Sequence, residues 1–119
     1  YKDRALIDGV LVGVLLDRQS HLHLEVYLGG QKGGRNQSIE IVYNKSFGMV
    51  GQVAPGMRVQ ACGDYITSTE QSGPYKPSPV GAIIHWVHKS NNVSRHDHGF
   101  LAIDGRLYGM EDEKGGHRN

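Results

Sequence analysis

Four of the chain's seven histidines, His85, His88, His96 and His98, fall in one stretch from Gly81 to Gly109, GAIIHWVHKSNNVSRHDHGFLAIDGRLYG. Imidazole titrates near neutral pH and is the commonest protein metal ligand, so this cluster points to a metal site, an acid–base site or an anion site. Spacing limits the geometry. In an extended strand His85 and His88 point to opposite faces, so they share an ion only if the strand ends or bulges between them. A helix would bring them to one side, but Ile83, Ile84, Trp86 and Val87 favour a strand. A turn at Lys89 would swing His88 toward His96 and His98. His85, His88 and His96 are accordingly the candidate ligands for zinc or another divalent transition metal, and an open position beside three imidazoles would resemble a catalytic zinc site. Asp97, Glu25 and Asp17 are the carboxylates available to orient those rings.

Each of these residues also has a plainer role. His85 fits a packed, hydrogen-bonded histidine as well as a site residue, and Trp86 fits the core as well as a stacking platform. His98 and His23 read as surface residues, His21 stands at a strand start, and His117 lies in the tail. The single cysteine, Cys62, excludes an internal disulfide and a cysteine-based zinc site, and reads as a small buried hydrophobe. The sequons at Asn36, Asn44 and Asn92 read as chance in a Ser/Asn-rich chain.

The scaffold that must position the histidines is β almost throughout, because seventeen glycines punctuate short runs and no segment keeps a long 3.6-residue period. Gly9 to Asp17, apolar on both faces, is the expected first strand, with a bend or bulge at Gly13. His21 to Leu28 alternates, placing Leu22, Leu24, Val26 and Leu28 on one face and His21, His23, Glu25 and Tyr27 on the other. A Gly-rich loop from Gly29 to Asn36 leads into a third strand from Ser38 to Tyr43. A weakly helical stretch from Asn44 to Val53 and an Ala54-Pro55-Gly56 turn precede a fourth strand from Met57 to Thr67. Ser68 to Pro79 reads as a long loop, Val80 to His88 as the fifth strand, and Asp104-Gly105 as the two-residue turn of a terminal hairpin. One domain is expected. Residues 1–8 form an N-terminal segment, 9–109 a single barrel and 110–119 a flexible charged tail.

These expectations amount to an all-β fold: a five-stranded, OB-fold-like Greek-key barrel with an added C-terminal β-hairpin. A β-sandwich is compatible with the same strand count. The phrase PGMRVQACGDYI resembles the Pro-Gly turn, basic residue and glycine-bent strand frequent in OB-folds. The chain also resembles an uncharacterised bacterial family of small OB-like proteins, a domain of unknown function often carrying export signals, with a His-Trp-Thr-His, His, Gly-Trp signature. The matching residues are His85-Trp86-Val87-His88, His96 and Gly99-Phe100, with Asp17, His21, Tyr43-Asn44 and Gly63-Asp64-Tyr65 upstream in register, so that it covers Gly9 to Gly109. Val87 stands for threonine and Phe100 for tryptophan, and this chain has a longer insert before His96 and its own loop from Gly29 to Asn36. The resemblance implies a fold and no established activity.

Three classes of function follow. The first is an OB-fold binding module for single-stranded nucleic acid or another oligomeric ligand, held on the outer face of the second and third strands. Its ligand-binding candidates are His21, Tyr27, Tyr43, Asn44, Tyr65, His85 and Trp86, with Lys32, Arg35, Arg58 and Lys76 as nearby cations. The second is a histidine- or metal-dependent phosphodiesterase or nuclease, in which His88 or His96 activates water and Arg95 stabilises the transition state. The third is a non-catalytic binder of a transition metal or a protein partner. A formal net charge of +1 argues against an obligate polyanion binder at neutral pH, and protonated histidines would add positive charge in acid. No apolar run is long enough to insert in a membrane as a helix. Because the chain opens at Tyr1, a processed precursor and a periplasmic or secreted location are expected.

Overall fold

The computed structural model describes residues 3–18, 20–32, 35–67, 78–80, 82–85, 87–90 and 98–110. They form β1 (Asp3–Arg18), β2 (His21–Lys32), β3 (Arg35–Asn44), a 3-10 turn (Lys45–Phe47), β4 (Arg58–Thr67), β5 (Ala82–His85), β6 (Phe100–Ile103) and β7 (Arg106–Tyr108). The fold is all-β. All seven strands join one sheet in the order β1-β2-β3-β5-β4-β6-β7, and β1 also pairs with β4. Five strands therefore close a barrel-like ring, β1-β2-β3-β5-β4-β1. Every pairing in it is antiparallel except β3 with β5, which is parallel.

Period-two alternation builds the interior. Leu22, Leu24 and Val26 of β2, Ile39, Ile41 and Tyr43 of β3, Val59 and Ala61 of β4 and Ile84 of β5 are buried together. Leu101 and Ile103 of β6 extend that core beyond the ring. Each of the large aliphatic side chains contributes about 1.5–3 kcal/mol by leaving water, and a one-residue slip in any strand would turn the whole set outward.

The strand boundaries differ from the sequence expectation in informative ways. β1 begins at Asp3, not Gly9, because Asp3 to Val10 pair with Tyr65 to Arg58. The chain from Gly29 to Asn36 is not simply a loop, since β2 runs to Lys32 and β3 starts at Arg35, with a register shift between Tyr27 and Gln31. β5 stops at His85, before His88. The bulge expected near Gly13 is present, with register shifts between Leu11 and Gly13 and between Val14 and Leu16. β1 was expected to be covered on both faces. Instead Leu11 is buried while Val10, Val12, Val14 and Leu16 are exposed, because a single-layer ring has only one inside.

Two glycines allow close strand contact. A Cβ on Gly9 would lie 2.3 Å from the Tyr27 carbonyl oxygen, and one on Gly63 would lie 2.4 Å from that of His85. Asp104 and Gly105, both at positive φ, connect β6 to β7, and Asp104 accepts from the Arg58 N–H at 2.8 Å. Among the described residues no helix is long and apolar enough to cross a membrane.

Candidate functional site

The described histidines of the Gly81–Gly109 stretch make different contacts, although the chain at His98 returns to His88 and Ser90, where the Gly99 N–H donates to the His88 carbonyl at 2.7 Å. His85 ends β5 half-buried, opposite Asp64 of β4, which in turn lies opposite Arg4 of β1. Asp64 is almost fully buried and takes a 2.7 Å hydrogen bond from Arg4 Nη1. Arg4 Nη2 donates to the His98 carbonyl at 2.6 Å, so this ion pair ties the chain at His98 to the ring. His98 Nδ1 accepts from the Ser90 N–H at 2.9 Å, while its side chain is exposed.

His88 corrects the sequence expectation most sharply. Its ring is fully buried and stacks on Phe47, with centroids 3.6 Å apart and planes 7° from parallel. Its Nδ1 lies 2.8 Å from the Lys89 carbonyl, which makes Nδ1 the donor. A ring enclosed in this way is screened from bulk water, unlike the water-activating base the sequence suggested. Val87 is buried between His85 and His88 in sequence, and among the described residues no three His, Cys, Asp or Glu side chains gather where they could hold a metal. His96, Arg95 and Trp86 lie outside the described residues.

Tyr43 and Asn44, expected as ligand contacts, are structural as well. Tyr43 is fully buried and donates its hydroxyl to the Gly48 carbonyl at 2.5 Å. Asn44 is fully buried and caps the 3-10 turn by accepting from the Ser46 N–H at 2.9 Å. Arg58, expected as an edge cation, holds Asp8 through two hydrogen bonds of 3.0 and 2.5 Å. The Arg58 hydrogen bond and charge hold the Asp8 carboxyl below the usual range and raise the guanidinium in return.

The outer face of β2 and β3 carries the groups that converge. Down β2 it presents His21, His23, Glu25 and Tyr27, and the register sets Asn44, Val42, Glu40 and Ser38 beside them on β3. His23 Nδ1 lies 2.5 Å from Glu40 Oε2 along the diagonal of this ladder. Ser78 donates to Glu40 Oε1 at 2.6 Å from the segment that leads into β5. Glu40 is 5% exposed. Burial pushes its carboxyl up, but hydrogen bonds from His23 and Ser78 and the His23 charge outweigh that, leaving it below the ordinary value. An ionised carboxylate can only accept, so His23 carries its proton on Nδ1 and, when neutral, presents Nε2 as a lone-pair nitrogen.

At the end of the ring where β2, β3, β4 and β5 meet, an open cleft of about 520 Å³ is lined by Glu25, Leu28, Gln37, Ser38, Ile39, Tyr65, Val80 and Ala82. Leu28, Ile39, Val80 and Ala82 supply its apolar surface, and a carboxylate, an amide and two hydroxyls supply polarity. The lining is thus mixed, with somewhat more polar than apolar surface. Tyr65 is 37% exposed at its rim. Tyr27 and His21 are half-buried on the adjoining face.

Sequence reasoning passed over His23, Glu40, Gln37 and Ser38. The signal for the first two was present in the alternation, which put both on outward positions of neighbouring strands. The bulge after Tyr27 sets the diagonal that joins them, and nothing local encodes it. No protein-family model, no characterised protein and no solved structure matches the chain.

Proposed function

We propose that the chain is a small OB-fold-like Greek-key barrel, extended by a C-terminal hairpin of β6 and β7, that acts as a binding module for an oligomeric ligand. The ligand lies on the outer face of β2 and β3 and in the adjoining cleft. One observation carries this: the five-strand ring leaves the β2–β3 face beside an open cleft whose walls offer Glu25, Gln37, Ser38 and Tyr65. OB-folds take oligonucleotides and oligosaccharides on that face. The histidine-rich segment, including the family-like His85-Trp86-Val87-His88, belongs on this reading to the scaffold.

Single-stranded nucleic acid is the less favoured oligomer. Glu25 and Glu40 stand opposite each other on this face, and Arg4, Lys45 and Arg58 are each engaged with a carboxylate, while Arg18 lies across from His21 at one end of it. Phosphates would meet like charge there. Hydrolysis has one observation in its favour, the oriented His23 imidazole, but among the described residues no cluster that could hold a metal accompanies it.

Titration of homopolymeric oligonucleotides and of neutral and amine-bearing oligosaccharides, followed by calorimetry, tests the module. Tyr65→Ala and Gln37→Ala should each weaken the ligand that binds by about 1–3 kcal/mol, with little change in unfolding midpoint. Undiminished binding in both variants would remove the cleft as the site.

A further inference from the structure

The cleft has a charge preference of its own, and it rests on the binding-module reading above. Among the described residues Glu25 is the only charged one in the lining. Its cross-strand neighbours supply no cation: Gly13 of β1 has no side chain, and Glu40 of β3 is committed to His23 and Ser78. Along β2 it is followed on the same face by Tyr27 and preceded by His23, whose ring nitrogen already serves Glu40. Among the described residues no ion pair includes Glu25. A half-buried carboxylate in a concave, partly apolar setting attracts a cation more strongly than a carboxylate on an open surface, because less water screens it.

The remaining groups limit what that cation is attached to. Gln37 offers both donors and an acceptor, and the Ser38 and Tyr65 hydroxyls offer one donor each with lone pairs to spare. These match a ligand dense in hydroxyls. The Tyr65 ring and the aliphatic surface of Leu28, Val80 and Ala82 suit the apolar C–H face of a sugar ring. Phosphate or carboxylate groups would be repelled by Glu25. A linear polyamine would satisfy the charge but offers no acceptor for the Gln37, Ser38 and Tyr65 donors.

We propose that the cleft binds an amino-sugar oligosaccharide through a free ammonium group on Glu25, with Gln37, Ser38 and Tyr65 holding the ring hydroxyls. An ammonium group has three donors, of which one or two reach the carboxylate and the rest neighbouring oxygens, whereas N-acetylation removes the charge and adds bulk at the same place. Selectivity for the unacetylated sugar is therefore built into Glu25.

The test is calorimetric titration of the full chain with a glucosamine hexamer, an N-acetylglucosamine hexamer, spermine and a dT oligomer at low salt. The glucosamine hexamer should bind at least tenfold more tightly than its acetylated counterpart and than spermine, and added salt should weaken it. Glu25→Gln, which keeps the shape of the lining, should raise its Kd by about ten- to a hundredfold. Equal binding of the two hexamers overturns the amine assignment, and because that comparison uses the unsubstituted chain it holds even if Glu25→Gln does not fold. Preference for spermine overturns the sugar assignment. Binding of dT alone, lost in Tyr65→Ala, overturns the inference but keeps the module, whereas no binding of any probe overturns both.

Discussion

Replacing Glu40 tests whether the polar chain His23–Glu40–Ser78 holds the outer face together or merely decorates it. Glu40→Ala removes an acceptor from two donors at 2.5 and 2.6 Å. A hydrogen bond to a charged group is worth about 1.5–3 kcal/mol. His23, partly exposed, regains water when its partner goes, so its bond counts near the bottom of that range. Ser78 is buried at 9% exposure and regains little. The expected loss is about 2–4 kcal/mol, or a Tm lower by roughly 8–16 °C for a domain of this size. Glu40→Gln keeps an amide in the same place and gives up only the charge, which costs about 1–2 kcal/mol. The pH dependence has a definite sign. The folded carboxyl lies below its ordinary value of 4.5, so its stabilisation is fully present above that value and is lost as pH falls through the folded value. Urea unfolding at pH 7, 5.5, 4.5 and 3.5 would measure this. The gap between wild type and Glu40→Gln should narrow from pH 4.5 to pH 3.5. Should Glu40→Gln equal or exceed the wild type at pH 7, the desolvation cost of the carboxylate would outweigh its hydrogen bonds and the reasoning fails.

Two further stability predictions follow from packing. Gly63→Ala should destabilise by about 1–3 kcal/mol because its Cβ would meet the His85 carbonyl oxygen at 2.4 Å, while Gly13→Ala, with nothing within 4 Å of the new Cβ, should stay within about 0.5 kcal/mol; chemical denaturation of both separates them. Phe47→Ala should cost about 3–5 kcal/mol and expose the His88 ring, seen as a shift of its imidazole proton resonances; unchanged resonances would mean the stack does not enclose His88.

The all-β architecture was legible because β2 alternates so regularly that Leu22, Leu24 and Val26 could only share one face. The burial of Tyr43 was legible by the same rule, since it continues the inward series of Ile39 and Ile41; a role in stacking ligands was at odds with the strand's own period. The start of β1 was hidden because Leu6 is apolar yet points outward at 68% exposure, which erases the alternation around Ala5 and Ile7. His88 could not be placed from its neighbours, because Phe47, which encloses it, arrives from the other side of β4 in sequence. The same holds for the cleft: Tyr65, Val80 and Gln37 belong to different strands or their flanks, and only ring closure gathers them.

Ring closure itself has an uneven seam. β1 and β4 are joined along eight residue pairs, from Asp3↔Tyr65 to Val10↔Arg58, but β3 and β5 meet through only Glu40↔Ile83 and Ile41↔Ile84. Those two contacts cannot form until the intervening chain has folded back, so they carry loop-closure entropy with little ladder to repay it. The Ser78–Glu40 hydrogen bond crosses this same seam, four residues before β5 begins. The ring thus has a clasp, and the carboxylate that fastens it sits on the face where the ligand is proposed to lie.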